Sequence, residues 1–98
     1  MKRDTLIQKN RNIVLRNIHG VYFLIDIKAN FLDEKCELYE IDSIGAYIWE
    51  TMNDYDTIKD ISMRLKKILI EDIPLEQLIS DVSDLMLSLS EQNFITEN

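Results

Sequence analysis

Two side chains in this 98-residue sequence, the single histidine His19 and the single cysteine Cys36, have the chemistry of a base, a nucleophile or a metal ligand. Neither stands at a metal-ligand spacing from another such residue, and no Gly-rich phosphate loop, GxSxG or HExxH motif occurs. His19 precedes Gly20, a pair typical of a tight turn, and Cys36 reads as a small hydrophobic residue. We therefore expect no catalytic residue, no metal site and no cofactor, and a protein that is not an enzyme.

Three segments rich in β-branched and aromatic residues predict strands in the first half of the chain. Residues 13–18 and 21–27 are separated only by His19 and Gly20, which is the loop length of a tight hairpin. Residues 36–41 alternate between two faces, as a short third strand would.

After the third strand the apolar spacing lengthens from two residues to about 3.6, which indicates helices. We predict that the helices begin at Asp42 or Ser43, at Thr57 and, after a break, at Pro74. Residues 93–95 are expected to close the chain as an extended segment. The apolar side of the first helix is predicted to carry Ile44, Tyr47, Ile48 and Met52.

The order of these elements predicts an α+β protein, a small winged helix-turn-helix in which a three-stranded antiparallel sheet is followed by three helices. Residues 1–12 are polar and net basic, so we expect them to form a loosely held N-terminal arm, in which Leu6 and Ile7 could contact the body of the protein. The winged-helix domain is predicted to cover residues 13–98, which is ordinary for a single domain.

The charge is distributed unevenly along the chain. No Lys or Arg occurs from Ile68 to Asn98, and the seven acidic residues there account for the whole net charge of -7. An acidic last helix would repel nucleic acid, because phosphate contacts require cations. There is no apolar run of the roughly 20 residues that cross a bilayer, no secretory signal pattern and no second cysteine for an intramolecular disulfide. We therefore expect a cytoplasmic protein that binds neither nucleic acid nor membrane.

Two surfaces could bind another chain. A three-stranded sheet has two edges, so the third strand could accept a strand from a peptide or from a second copy in a homodimer, unless Glu37 and Glu40 block this edge. On the third helix, Leu87 is predicted to point away from the core among Ser80 and Ser83. An isolated exposed leucine is ordinary, but among short serines it also leaves a shallow surface for a side chain.

The sequence resembles the PqqD-like family over about residues 13 to 95. The residues that carry the resemblance are 19–26 (HGVYFLID), 39–50 (YEIDSIGAYIWE), 57–58 (TI), 81–82 (DV), 85–86 (LM), Leu89 and 93–95 (NFI). Members of this family recognise ribosomally synthesised peptides that are modified after translation. The resemblance implies that the leader segment of a precursor peptide docks as an added strand on the third strand, with the third helix as the other wall.

The resemblance also implies a peptide chaperone that presents the precursor to a modifying enzyme, either a radical SAM maturase or a leader protease with its cyclase. The residues expected to bind the peptide are Cys36, Glu37, Leu38, Tyr39 and Glu40 on the strand, and Ser80, Ser83, Asp84 and Leu87 on the helix. Four residues are assigned to packing of the first helix, namely Gly45, Ala46, Ile48 and Trp49. The alternative function is a winged-helix transcriptional regulator or a general protein-interaction module.

Overall fold

The structure, a computed structural model, describes residues 1–28 and 38–97. These residues form six strands in two antiparallel sheets and three helices, which confirms the predicted α+β class and the order of strands before helices. The winged-helix designation stays a prediction. The elements are β1 (Leu6–Lys9), β2 (Ile13–Ile18), β3 (Val21–Asp26), β4 (Tyr39–Ile41), α1 (Ser43–Thr51), β5 (Asp56–Thr57), α2 (Ile58–Ile68), α3 (Leu75–Glu91) and β6 (Ile95–Glu97).

The chain divides into two compact units. The first unit joins Met1–Asn10 to Met52–Asn98, and the second unit is Arg11–Thr51. Each unit contains one of the two sheets, with strand order β5-β1-β6 in the first and β2-β3-β4 in the second. The sequence-based division into an arm of residues 1–12 and a domain of residues 13–98 stays a prediction.

The second unit is built on the predicted hairpin of β2 and β3, in which Ile18 pairs with Val21. His19 and Gly20 have φ angles of 53° and 84°, so both turn residues lie in the left-handed region that favours glycine. The Gly20 amide donates to the Asn17 side chain at 2.9 Å, which closes the turn locally. His19 is thus a turn residue, as predicted.

Strand β4 confirms the predicted third strand over Tyr39–Ile41, and it pairs antiparallel with β3. Cys36 and Glu37, also assigned to this strand, lie outside the described residues. Helix α1 follows at once, because the Asp42 carboxylate accepts from the Gly45 amide at 2.7 Å and the Asp42 carbonyl from the Ala46 amide at 2.9 Å. The sequence left Asp42 and Ser43 open as the cap, and the side-chain bond selects Asp42.

The predicted apolar side of α1 was partly wrong. Ile44 is 48% exposed and Tyr47 only half-buried, whereas all four residues assigned to packing are buried. The small residues Gly45 and Ala46, which the prediction from apolar spacing did not include, lie on the side of α1 that is buried. A Cβ on Gly45 would lie 3.2 Å from the Asp42 side-chain oxygen and 3.5 Å from Ile41, so glycine permits this close approach.

In the first unit, residues 6–9 are not part of a loosely held arm. They form β1, the middle strand, in which Ile7 is fully buried and pairs with both Asp56 and Glu97. The expectation of a loose arm is wrong for this segment, because its backbone completes two ladders with strands that are distant in sequence. The predicted extended close over residues 93–95 is confirmed only in part, since β6 is one of those partners but begins at Ile95, and Asn93 lies in a turn with a φ of 63°.

Helices α2 and α3 pack on each other in the first unit. Thr57 caps α2 reciprocally: its side chain accepts from the Asp60 amide, and the Asp60 carboxylate accepts from the Thr57 amide, both at 3.1 Å. Pro74 was predicted to lie in the first turn of α3. It is instead the N-cap residue, and α3 begins at Leu75. The α3 residues buried in the core are Leu78, Ile79, Val82, Met86 and Leu89. Among the helices described, none combines the length and apolar character that a membrane crossing requires.

The capping box at Thr57 generates a prediction about stability. Replacing Thr57 with Ala should lower the free energy of unfolding by about 1 kcal/mol, because the Asp60 amide loses its acceptor. Urea unfolding followed by circular dichroism measures this loss. Ser88→Ala, an exposed change in mid-helix α3, serves as the control, and an equal loss in both variants would contradict the assignment.

The same box should respond to pH. Hydrogen bonds with the main-chain amide and the side chain of Thr57 hold the pKa of Asp60 below its usual value. The positive charges of Arg64 and Lys59 act in the same direction. Because the pKa of Asp60 is lower in the folded than in the unfolded state, its ionised carboxylate stabilises the fold at pH values above the unfolded-state pKa of about 4. This stabilisation is lost as the pH falls through the folded-state pKa. The stability difference between the parent and Asp60→Asn should therefore shrink in acid, and a difference constant down to the lowest accessible pH would refute it.

Candidate functional site

The strand part of the predicted site lies at one end of its sheet. In the order β2-β3-β4, no further strand follows β4 within the described parts of the chain. Tyr39 pairs with Leu24 and Glu40 with Phe23, so these two β4 side chains project to opposite faces, as predicted. Leu38 precedes the strand and is 49% exposed. The end of this sheet therefore presents one apolar and one acidic exposed side chain.

The helix part of the predicted site is a surface of α3 in the other unit. Ser80 and Asp84 are exposed, Leu87 is 42% exposed and Ser83 is half-buried. Spacings of three and four residues place Ser80, Ser83 and Leu87 on one side of the helix. The predicted orientation of Leu87 away from the core is confirmed.

This α3 surface is acidic. Exposed carboxylates precede, flank and follow it, and α3 contains no basic residue in its last turn. The exposed acids on this helix are Glu76, Asp81, Asp84 and Glu91. A surface of this kind attracts cationic segments, with a strength that falls as salt is added.

Two contacts on α3 were not foreseen from the sequence. The Ser83 hydroxyl donates to the main-chain carbonyl of Met1 at 3.3 Å, and the Arg3 guanidinium pairs with the Glu76 carboxylate at 2.5 Å. We call residues 1–3 the strap. The only sequence signal for it is the opposite charge of Arg3 and Glu76, and this pairing becomes visible only when the fold brings the two together. Ser83 is thus already in contact with the chain's own N-terminal segment.

Other arrangements that could support chemistry are few. Among the residues that the structure describes, no group of three or more His, Cys, Asp or Glu side chains could hold a metal ion. An open pocket of about 570 Å³ is lined by Lys2, Arg3, Asp4, Thr57 and Lys59. It is predominantly basic and contains none of the residues predicted to bind a peptide. Within the described parts of this α+β chain, the surfaces that the sequence assigned to a peptide are a sheet edge and an acidic helix surface.

Comparisons with known proteins identify the family. The family model for Coenzyme PQQ synthesis protein D (PqqD) matches residues 31–95, which is well over half of the chain. The chain therefore belongs to the PqqD family, as the sequence resemblance indicated. A comparison with curated proteins gives no match.

The fold is also similar to that of a solved structure described as lasso peptide synthetase B1 complexed with the leader peptide. The TM-score is 0.67, the identity is 16%, and the match covers 92% of this chain and 96% of that one. At this identity the likeness concerns the fold.

The exposure of Leu87 yields a prediction about stability. Leu87→Ala should lower the free energy of unfolding by no more than about 1 kcal/mol, since the side chain is already 42% exposed and loses only part of a leucine's burial. Leu89→Ala, two positions along the same helix and 2% exposed, should cost about 2–5 kcal/mol. Urea unfolding of both variants provides the comparison. Equal losses would show that Leu87 is a core residue and unsuited to binding.

Proposed function

We propose that this protein binds the leader segment of a ribosomally synthesised precursor peptide, which adds as a strand to β4 and contacts the exposed surface of α3. The observation that carries the proposal is the position of β4 at the end of its sheet order in a chain of the PqqD family. The structural neighbour, described as complexed with a leader peptide, has a fold similar to this one and supports the proposal. The site comprises the residues assigned from the sequence, with Leu38, Tyr39 and Leu87 as its apolar contacts.

The energetics require side chains as well as backbone. About four added main-chain hydrogen bonds contribute roughly 1 kcal/mol each. Association costs at least about 4 kcal/mol, whereas micromolar affinity needs about 8 kcal/mol net. Burial of two or three apolar leader side chains, at about 1.5–3 kcal/mol each, supplies the difference. Leu38 and Leu87 are suited to this role because about half of each side chain is exposed in the free protein. A leader side chain that covers this apolar surface would add to the free energy of binding.

The acidic surface of α3 determines which leaders suit the site. A leader with Lys or Arg beside its docking segment would approach Asp84 and Glu91 favourably, and the main gain would be a faster encounter. The protein would then act as a chaperone that presents the precursor to a modifying enzyme in the cytoplasm, either a radical SAM maturase or a leader peptidase, and would itself perform no catalysis. Pairing of β4 with a second copy would compete with leader binding.

A winged-helix regulator is the alternative, and two of the four basic residues of α2 are engaged within the protein. Arg64 pairs with Asp56 at 3.0 Å, and Lys66 donates to the Ile73 carbonyl at 2.7 Å. Cations engaged within the protein are less available for phosphates. A mobility-shift assay at low salt separates the two functions, and tight binding of duplex DNA would favour the regulator.

Leader binding can be tested with the N-terminal segment of a precursor peptide sought among the neighbouring genes, which is synthesised as a peptide and here called the leader probe. Leu87→Asp should weaken its binding at least tenfold in calorimetry, because a charge replaces an apolar contact. Ser88→Asp is the matched control, since it adds the same charge at an exposed position of α3 outside the proposed site.

Tyr39→Pro tests the strand. In this register the main-chain groups of Tyr39 face Leu24 on β3. Proline there disrupts the pairing of β4 with β3 and bends the strand that would receive the leader, so capture of the leader probe should be lost. Circular dichroism should confirm that the variant is folded. If Leu87→Asp and a folded Tyr39→Pro both bind the leader probe as tightly as the parent, the proposed site is wrong.

A further inference from the structure

The strap follows the same side of α3 that is proposed to bind the leader. It contacts Glu76 through Arg3 and Ser83 through the Met1 carbonyl. Glu76, Ser80, Ser83 and Leu87 recur at spacings of four, three and four residues, so they form one line along the helix. Two of these four residues are in contact with the strap, and Ser83 is one of the residues assigned to the leader.

The two contacts give the strap a direction along α3. Glu76 and Ser83 lie two helical turns apart, about 10 Å along the axis. Two residue steps of extended backbone span about 7 Å, and the Arg3 side chain reaches over the remainder. The strap therefore runs antiparallel to α3 and enters a turn closed by the Thr5 amide and the Lys2 carbonyl, and its Met1 carbonyl accepts a bond from a helix side chain. An extended leader segment would require the same kind of contact.

The strap is tethered firmly at its base. The Lys59 amide donates to the Arg3 carbonyl at 3.0 Å, the Thr5 amide donates to the Lys2 carbonyl at 3.1 Å, and β1 begins at Leu6. A segment held so close to its site has a high effective concentration there. Its two contacts with α3 are nevertheless weak, because the ion pair is exposed, with side-chain exposures of 50% and 69%, and the hydroxyl bond is long.

From these contacts we infer that the strap is an intramolecular competitor of the leader on α3. In the resting protein it covers Ser83 and neutralises Glu76, and leader binding displaces Met1 and the Arg3 side chain while the backbone from Arg3 onward stays tethered. The inference rests on the proposed function. Its consequence is that the apparent affinity for a leader is reduced by the fraction of molecules in which the strap is closed.

The inference can be tested with the leader probe and two variants, one of which removes a positive charge and the other a negative charge. Arg3→Ala removes one partner of the ion pair and Glu76→Gln the other, so each should strengthen binding by about two- to fivefold, the range expected for an exposed ion pair. Non-specific electrostatic attraction would change the affinities of the two variants in opposite directions. Arg3→Ala makes the protein more negative, whereas Glu76→Gln makes it less negative. A gain in both, and no further gain in the double variant, indicates release of the strap.

Arg11→Ala is the matched control for Arg3→Ala, because Arg11 is exposed and forms no salt bridge with any described residue. It should leave the affinity for the probe unchanged. As a second readout, ¹⁵N relaxation should show the Lys2 and Arg3 amides gaining motion when the parent is saturated with the probe.

The outcomes separate the two proposals. If the parent binds the leader probe but Arg3→Ala or Glu76→Gln binds it equally or more weakly, the strap is not a competitor and the proposed function stands. Weaker binding by Glu76→Gln alone would mean that Glu76 is itself a leader contact and would also overturn the inference. If neither the parent nor Arg3→Ala binds the probe, the proposed function fails and the inference fails with it.

Discussion

The first unit depends on the main-chain hydrogen bonds of β1. This strand lies between β5 and β6, and its ends are fixed by further bonds: the Tyr55 amide donates to the Ile7 carbonyl at 2.7 Å, and the Asn10 amide donates to the Phe94 carbonyl at 2.9 Å. Ile7 is fully buried. Because backbone groups withdrawn from water must find partners, the order of this unit follows from one four-residue strand. The strap precedes this strand directly, so the strand also determines where the strap can lie.

Elements whose determinants are local could be predicted from the sequence. The hairpin turn follows from two adjacent residues that adopt positive φ, and the start of α2 follows from a Thr and an Asp three positions apart. The apolar spacing of α3 likewise identified its buried side. In each case the residues that stabilise the element lie within one or two turns of each other, so the sequence alone contains the signal.

The missed elements have partners far away in the chain. Residues 6–9 are polar at two of four positions and show no signal strong enough to stand alone, and only the ladders with β5 and β6 make them a strand. Ile44 was misassigned for a related reason. Hydrophobicity suggested burial, but the small residues Gly45 and Ala46 determine which side of α1 approaches its neighbours. Tertiary packing overrides local preference in both cases.

The candidate site shows the same division. The orientation of Leu87 and the alternation of β4 follow from helical and strand periodicity and are present in the structure. The contact between Met1 and Ser83 joins residues at opposite ends of the sequence, and no pattern near either residue indicates it. A surface inferred from one helix alone cannot reveal that another segment of the same chain lies upon it.

The pairing of Ile7 with Glu97 also constrains how this protein is made. Residues Arg11–Thr51 emerge from the ribosome early and hold all the strands of their own sheet. Strand β1, by contrast, is synthesised before them and must wait for its last neighbour until residues 95–97 have been translated. Because pairing over such a sequence separation is slow, the second unit should fold earlier during synthesis than the first.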